Sequence, residues 1–325
     1  MDIILINIAI STVIFLTIAT TLILINGKSK DIGSSQDSLI FDDLEMDYSK
    51  MPRYETYTCR DETKLEYHHY PAQSEKILIL LHGSGWHNQY FYKLADYLSS
   101  ENITNVYAPN LRGHGRTPKR RGDIDYINQL EDDLDDFIEM IKIKHPTSKV
   151  ILGGHSSGGG LAIRFAGSKY NNKVDGYILL SPFLKYNAPT IRENSGGWAF
   201  PRLPRIIGLS MLNGVKITIF NKLEVIDFNM PKEYRDGTET LTYSHRLNEG
   251  FAPRNYKKDL ANMNQKLIVV VGESDESFIG EKFSPVVSLY KEDAEVVLLK
   301  NTNHMGLVVG NEIREVLNKW IKELK

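Results

Sequence analysis

The chain alternates short apolar runs with longer amphipathic stretches, and this alternation limits the folds that it can adopt. Runs rich in Ile, Val and Leu lie at 76–81, 104–108, 149–153, 173–179, 266–271 and 294–299. Amphipathic stretches of helical length lie between most of them, at about 87–100, 126–144, 157–169, 279–290 and 310–324. Strands that are apolar on both faces and separated by helices are typical of a mostly parallel sheet. The sequence therefore predicts an α/β, doubly wound fold with helices on both faces of the sheet.

One long interval breaks this alternation. About eighty residues, with several prolines and helical fragments, separate Pro182 from the strand that begins near Lys266. An insertion of this length between two core strands is usually a lid or a small subdomain, because structureless loops longer than about 15 residues are uncommon. We expect a helical cap at about 183–258.

The N-terminal stretch from Ile3 to Gly27 contains no charged residue. As a helix it spans about 37 Å, enough to cross a hydrocarbon core of about 30 Å with some tilt. A cleaved secretory signal is the alternative, but its apolar region has only about 7–15 residues and follows a basic residue. No basic residue precedes Ile3. We predict a single-pass membrane anchor at 3–27, a polar tether at 28–54 and a folded domain at 55–325.

The charges that flank the anchor bear on its orientation. Asp2 precedes it, whereas Lys28 and Lys30 follow it. Under the positive-inside rule this arrangement favours a folded domain on the cytoplasmic side, although Asp31 reduces the positive excess.

Charge and cysteine content exclude several classes of function. Lys plus Arg number 39 against 41 for Asp plus Glu, which argues against a protein that binds the phosphate backbone of nucleic acid. The single cysteine, Cys59, excludes internal disulfides and cysteine-rich zinc sites. His68 and His69 are adjacent on an expected strand, so they point to opposite faces and make a poor metal chelate.

The sequence Gly154-His155-Ser156-Ser157-Gly158 follows the apolar run 149–153 and precedes a helical stretch. This G-x-S-x-G pattern between a strand and a helix is typical of a nucleophile elbow, with Ser156 as the nucleophile. Glycine is needed beside the serine because side chains there would collide with neighbouring backbone. A Gly/Ser-rich turn without catalytic meaning is the alternative, since both residues are common.

A second turn, His82-Gly83-Ser84-Gly85, follows the apolar run 76–81. Turns of this kind supply one amide of an oxyanion hole, and the residue after the nucleophile supplies the other. We assign the two donors to the backbone N–H groups of Ser84 and Ser157. His82 and His155 are interpreted as structural residues.

The acid and the base are expected after the serine, in that order. Asp275 follows the run 266–271 with Gly-x-x-Asp spacing, and Glu273 and Glu276 are the alternatives. His304 lies in the loop after the last predicted strand and is the only histidine after His245. All three predicted residues follow the carboxyl ends of parallel strands, the edge where open α/β sheets bind ligands.

These motifs resemble the α/β-hydrolase superfamily, in particular its branch of monoacylglycerol lipases, lysophospholipases and serine aminopeptidase-like enzymes. The resemblance covers about residues 55–325. It rests on LLHGSG at 80–85, NLRGHGRT at 110–117, GHSSGG at 154–159, LLSP at 179–182, GESDE at 272–276 and NHMG at 303–306. It implies a sheet of about eight strands, a cap inserted between the sixth and seventh, and no cofactor. Thr117 stands where this branch usually has serine.

Together with the predicted anchor, the resemblance implies a membrane-anchored serine hydrolase that cleaves carboxylic esters of a lipid-like kind, such as monoacylglycerols or lysophospholipids. Substrate-binding candidates come from the apolar part of the cap, namely Trp198, Phe200, Leu203 and Met211. Arg202 and Arg205 lie among them and are expected near a membrane surface or a phosphate head group. The alternative is that these apolar residues only pack the cap against the core.

Two other functions stay open on the sequence. An aminopeptidase or amidase of the same fold needs an acidic group to hold the substrate amine, for which Glu224, Asp227 and Glu233 are available. A non-catalytic binding protein usually lacks one member of the triad, whereas here all three positions are filled. Serine at position 156 excludes hydrolases that use an aspartate nucleophile.

Overall fold

The computed structural model describes residues 2–25, 39–44 and 46–324. The end of the predicted anchor, 26–27, and most of the first half of the predicted tether, 28–38, lie outside the described residues, as does residue 45.

Eight strands form the main sheet, in the spatial order β1-β2-β4-β3-β5-β6-β10-β11. Pairs β1–β2 and β2–β4 are antiparallel and the others are parallel. The strands are β1 (Glu55–Thr58), β2 (Lys64–Tyr70), β3 (Lys76–Leu81), β4 (Asn105–Pro109), β5 (Lys149–His155), β6 (Gly176–Leu180), β10 (Lys266–Gly272) and β11 (Glu295–Leu299). The predicted α/β architecture is confirmed.

Helices connect the parallel strands, because such strands need a crossover of a dozen or more residues. The described helices are α1 (Asp2–Ile25), α2 (Tyr92–Ser100), α3 (Gln129–Lys144), α4 (Ser157–Ala166), α5 (Asn194–Gly197), α6 (Leu203–Gly214), α7 (His245–Phe251), α8 (Tyr256–Ala261), α9 (Phe283–Ser288), α10 (Gly306–Val309) and α11 (Glu312–Glu323).

The centre of the sheet is buried on both faces. Residues 77–81 of β3 and 150–155 of β5 are all buried, which is why these strands read as continuous apolar runs. Parallel pairing of β3, β5, β6, β10 and β11 places their carboxyl ends along one edge. The loops after β3, β10 and β11 and the turn after β5 therefore meet there.

The cap lies between β6 and β10, the sixth and seventh strands of the main sheet, as the resemblance implied. It differs from the expected helical cap because it also contains a three-stranded antiparallel sheet. Its strands are β7 (Ala199–Pro201), β8 (Glu224–Phe228) and β9 (Thr242–Ser244). Strands of three to five residues are too short to give a recognisable period-two pattern, so the sequence did not indicate them.

Helix α1 packs on cap helix α6 through its last turns. Ala19 and Ile23 are buried in a cluster with Leu209, Leu212 and Val225. The Arg205 guanidinium donates a hydrogen bond from Nε to the Ile23 carbonyl, at 3.2 Å. Carbonyl groups in the last turn of a helix have no partner within the helix, so this arginine satisfies one of them.

The rest of α1 is apolar and exposed. The segment Ile3–Ile25 is long and apolar enough to cross a membrane, and only a small part of it is buried against the protein. Signal sequences near an N-terminus meet the same criteria of length and composition.

The structure corrects the prediction for the second half of the tether. Leu39, Phe41 and Leu44 are buried in the main hydrophobic core instead of lying free in solvent. The polar composition of 28–54 concealed them, because three apolar residues on an irregular segment give no helical or strand period.

The packing of α1 on α6 predicts different effects for two glycines of α6. A Cβ atom at Gly208 would lie 2.6 Å from the Ala19 carbonyl oxygen, whereas one at Gly214 would meet nothing within 4 Å. We expect Gly208→Leu to destabilise the protein by about 1–3 kcal/mol, because overpacking forces the helices apart. In detergent micelles its Tm should fall by several degrees, and that of the control Gly214→Leu should not. Equal Tm values for the two variants would contradict this packing.

Candidate active site

Ser156 lies on a strained turn between β5 and α4. Its backbone has φ 54° and ψ −120°, a conformation that non-glycine residues rarely adopt. Its N–H donates to the Leu180 carbonyl of β6 at 2.9 Å, and its carbonyl accepts from the Phe183 N–H at 2.9 Å. These bonds hold the turn between two neighbouring strand ends.

Two glycines allow this turn to pack against the sheet. A Cβ at Gly154 would lie 2.2 Å from the Gly158 carbonyl oxygen, and a Cβ at Gly158 would lie 2.1 Å from the Leu81 carbonyl oxygen. Real Cβ atoms do not approach that closely, so both positions require glycine. This close approach is the physical reason for the G-x-S-x-G pattern.

Asp275 and His304 form a buried hydrogen-bonded pair beside the turn. The His304 Nδ1 atom lies 2.9 Å from Asp275 Oδ2. Asp275 also accepts hydrogen bonds from the Ser181 hydroxyl at 2.6 Å and from the Ser277 and Phe278 N–H groups at 2.9 Å each. The carboxylate is therefore satisfied on both oxygens, which offsets the cost of burying its charge.

The surroundings shift the pKa values of Asp275 and His304 in opposite directions. Burial alone would raise the pKa of Asp275, but the His304 charge and the hydrogen bonds it accepts hold that pKa below its ordinary value. Burial alone would lower the pKa of His304, but Asp275, with a further contribution from the Glu276 charge, raises it above its ordinary value. Both shifts favour an Asp275 carboxylate that supports a histidine able to accept a proton.

The two alternative carboxylates have other partners. Glu273 accepts from the Asn301 N–H at 3.3 Å. Glu276 accepts from the His304 N–H at 2.9 Å through Oε2 and from the Ile40 N–H at 3.3 Å through Oε1. Among the three carboxylates, the geometry therefore favours Asp275 as the partner of the imidazole.

The two predicted oxyanion donors differ from their neighbours in bonding. The N–H groups of Gly83 and Gly85 donate to the hydroxyls of Tyr90 and Tyr243, at 2.5 and 3.1 Å. Within the described part of the chain, the Ser84 N–H has no such acceptor. Ser157 is the first residue of α4, where backbone N–H groups have no partner within the helix.

The other two histidines near the turn are held neutral. His82 is fully buried and its Nε2 accepts from the Leu111 N–H at 3.0 Å, while burial lowers its pKa to about 4. His155 Nδ1 lies 3.2 Å from the Tyr90 hydroxyl oxygen, its Nε2 lies 3.1 Å from the His304 carbonyl oxygen, and burial lowers its pKa well below the ordinary value. Their contacts are those of structural residues.

A small cavity connects these groups. Its volume is about 20 Å³. It is lined by Leu39, Phe41, Gly83, Ser84, Trp86, Tyr90, His155, Ser156, Trp198, Met230, His304 and Met305. The predicted nucleophile, base and one oxyanion donor therefore share one cavity with apolar walls.

Of the four predicted substrate-binding residues, only Trp198 lines this cavity. Phe200 pairs with Asp227 between β7 and β8, Leu203 is exposed, and Met211 packs with the cluster that holds α1. The apolar stretch of the cap lies elsewhere because α6 turns one face to α1 and β8. The structure therefore does not bring Phe200, Leu203 and Met211 to this cavity.

The two cap arginines are structural. Arg202 makes a buried bidentate pair with Asp227, at 2.7 and 2.9 Å. Arg205 bonds the carbonyls of Ile23 and Glu224. Neither guanidinium is free to bind a phosphate group. Arg202 is already paired with a carboxylate, and Arg205 already donates to backbone carbonyls.

Sequence reasoning missed Ser181, Tyr90 and the segment that carries Leu39 and Phe41. Ser181 directly follows β6 and has φ 39°. Its position in the LLSP motif, at the end of a predicted strand, was a signal that could have identified it. Tyr90 lies within an ordinary helical stretch and carried no signal.

Comparison with known proteins identifies the family. Residues 72–265, more than half of the chain, match the serine aminopeptidase S33 family of hydrolases. The chain belongs to this family.

Individual relatives match smaller parts. The chain is 27% identical over 106 residues to a monoacylglycerol lipase of Mycolicibacterium smegmatis, covering 33% of this chain and 37% of that one. It is 26% identical over 215 residues to a monoglyceride lipase homolog of monkeypox virus, covering 63% and 73%. The match thus spans well under half of the first relative and about three quarters of the second. A soluble variant of the Saccharomyces cerevisiae monoglyceride lipase has the same fold, with a TM-score of 0.61, 19% identity and coverage of 85% and 96%.

The charge near His304 predicts a pH effect. If His304 is the base it must be neutral, so its raised pKa places the rise of activity with pH above about 6.5, the ordinary histidine value. Glu276→Gln removes one of the charges that raise this pKa, so the inflection should move to lower pH. The pH profile of p-nitrophenyl acetate hydrolysis measures it, with Glu273→Gln as the control. The same displacement in both variants, or none in Glu276→Gln, would contradict the expectation.

Proposed function

We propose that this protein is a membrane-anchored serine carboxylester hydrolase that acts on lipid-like esters such as monoacylglycerols or lysophospholipids. Ser156 is the nucleophile, His304 the base and Asp275 the acid. The observation that carries the proposal is a serine on a strained elbow whose cavity also holds the imidazole of a buried Asp275–His304 pair.

In the first step His304 takes the proton of the Ser156 hydroxyl as its oxygen attacks the ester carbonyl carbon. Asp275 fixes the imidazole with the proton on Nδ1, leaving Nε2 as the acceptor, and stabilises the imidazolium that forms. The N–H groups of Ser84 and Ser157 donate to the developing oxyanion, where preorganised donors act most strongly.

Collapse of the tetrahedral intermediate breaks the bond to the alcohol, which leaves with the proton from His304. The product is an acyl ester on Ser156. Water then attacks this ester, with His304 again taking a proton, and the second collapse releases the carboxylic acid and restores the serine.

Three observations support a lipid-like ester. The cavity walls beside Ser156 are apolar and aromatic, with Trp86, Trp198 and Met230 among them. The relatives include proteins named for monoacylglycerol or monoglyceride hydrolysis. Helix α1 exposes an apolar surface of membrane-spanning length, which would keep the enzyme beside its substrate. The predicted cytoplasmic side depends on Lys28 and Lys30, which lie outside the described residues.

None of the three carboxylates considered for binding a substrate amine, Glu224, Asp227 and Glu233, lines the described cavity at Ser156. Asp227 is paired with Arg202, and Glu224 and Glu233 do not line the cavity. This arrangement favours the ester over a substrate with a free amine.

The central test is hydrolysis of p-nitrophenyl esters of increasing chain length by the full chain in detergent micelles. We expect Ser156→Ala to reduce kcat by at least about 10³-fold while the far-UV CD spectrum and Tm stay unchanged, since the hydroxyl contributes little to packing. Activity that survives this substitution would remove Ser156 as the nucleophile. Activity on amides but not on esters would favour the aminopeptidase.

The role of Asp275 has its own test. Asp275→Asn favours the wrong imidazole tautomer and removes the charge that stabilises the imidazolium, so kcat should fall by about 10³–10⁴-fold. Glu273→Gln is the matched control in the same loop and should keep kcat within about twofold, as expected for a group outside the transition state. If Glu273→Gln lost more activity than Asp275→Asn, Asp275 would be the wrong choice for the acid.

A further inference from the structure

Residues 39–44, hereafter the strap, lie across the cavity at Ser156. The strap precedes β1 in the chain and ends in a 3-10 turn at Asp42–Leu44. Leu39 and Phe41 are buried and line the cavity together with Ser156 and His304. A segment that precedes the first strand of the main sheet therefore forms one wall of the proposed active site.

The Phe41 ring packs among three aromatic side chains, those of Trp86, Trp198 and Tyr234, hereafter the seat. Its ring centroid lies 6.4 Å from that of Trp86, 5.7 Å from that of Trp198 and 5.4 Å from that of Tyr234. Trp198 in turn donates from Nε1 to the Ser84 hydroxyl at 3.1 Å. The seat is thus bonded to the turn that carries Ser84, a proposed oxyanion donor. The apolar part of a bound ester would need to lie in the same place.

The cavity is small while Phe41 is in its seat. Its volume of about 20 Å³ is close to the roughly 10–15 Å³ that one water molecule requires, so an ester with an apolar chain does not fit within it. Such an ester needs the space that the strap occupies.

Within the described part of the chain, polar contacts tie the strap to the cap and to the loop that precedes the proposed base. The Tyr234 hydroxyl of the cap donates to the Asp42 carboxylate, and the Ile40 N–H donates to Glu276 Oε1 at 3.3 Å. Glu276 also accepts from the His304 N–H, so the strap is linked to the loop of the proposed base. The Asp42 and Ile40 bonds are exposed, whereas Leu39 and Phe41 are buried, so displacement of the strap must chiefly replace apolar contacts.

We propose that the strap is an internal competitor for the substrate cleft: Phe41 takes the place of the substrate's apolar part, and an ester enters only by displacing it. The proposal deepens the proposed function and rests on it for the identity of the substrate. A ligand with an apolar chain can replace the contacts that Phe41 gives up, so such a chain is the chemistry that the seat accepts.

Displacement has a defined kinetic consequence. If only the open state binds, the apparent affinity is the intrinsic affinity reduced by the open fraction. Variants that weaken the strap should therefore lower KM for p-nitrophenyl octanoate and leave kcat nearly unchanged.

Two variants weaken the strap by different routes. Phe41→Ala empties the aromatic seat, and kcat/KM should rise at least about tenfold, since closed-state occupancy limits binding. Tyr234→Phe keeps the ring but removes the bond to Asp42, and kcat/KM should rise roughly fivefold, the factor that corresponds to one net hydrogen bond. Matched controls are Phe220→Ala and Tyr186→Phe, since both side chains are exposed and neither lines the cavity.

A binding measurement separates the strap from the chemistry. Trp86 and Trp198 are two of three tryptophans in the chain and both touch Phe41, so tryptophan emission reports on the seat. We would titrate 1-O-dodecylglycerol, an ether that cannot be hydrolysed, into the full chain in micelles. The Kd should fall roughly fivefold in Tyr234→Phe relative to Tyr186→Phe.

The outcomes are distinct. Tighter binding of the ether in Tyr234→Phe without ester hydrolysis by any variant would retain the strap and overturn the proposed esterase. Ester hydrolysis with unchanged KM and unchanged Kd in Phe41→Ala and Tyr234→Phe would overturn the strap and retain the esterase. Absence of any emission change with the ether would also overturn the strap as a competitor for an apolar chain.

Discussion

The contact between Gly158 and the carbonyl of Leu81 is the constraint on which the rest of the site depends. It lets α4 start directly above the end of β3, so that Ser156 must take its strained backbone conformation. Such a conformation costs about 1–3 kcal/mol and persists only where the surroundings over-determine it. Here the surroundings are the bonds to β6 and to Phe183, together with the pairing of β5 between β3 and β6.

The same sheet register assembles the second half of the site. Asp275 follows β10, His304 follows β11, and Ser181 after β6 donates to the same carboxylate oxygen as the imidazole. Because β6, β10 and β11 are adjacent, a slip of one strand would separate the carboxylate from its donors. The charge of Asp275 can be buried only because several hydrogen-bond donors meet at its carboxylate. The same hydrogen bonds therefore position the Asp275 side chain and stabilise the fold around it.

The parts that could be predicted from the sequence are those with a strong local signal. The β3 strand has the bounds of the apolar run 76–81, and the G-x-S-x-G pattern follows from contacts too close for any side chain. Asp275 was chosen on the sequence from its Gly-x-x-Asp spacing, but Glu273 and Glu276 follow the same strand, so only the distance to His304 distinguishes the three carboxylates. The strands of the cap and the burial of Phe41 were missed because short or irregular segments reveal their partners only through tertiary contacts.

The N-terminal region contacts the cap at two separate places, and this bears on how the cap is positioned. Ala19 and Ile23 of α1 pack on α6, and Phe41 of the strap packs on Trp198 before β7. The cap is also bonded directly to the main domain, through the Tyr243 hydroxyl to the Gly85 N–H and through Arg246 to Asp123, so the N-terminal contacts add to attachments that it already has. The apolar helix contacts one part of the cap, and the strap contacts the part that faces Ser156. In the proposed opening, displacement of Phe41 releases only the strap contact, so the cap would keep its bonds to the main domain and its packing on α1.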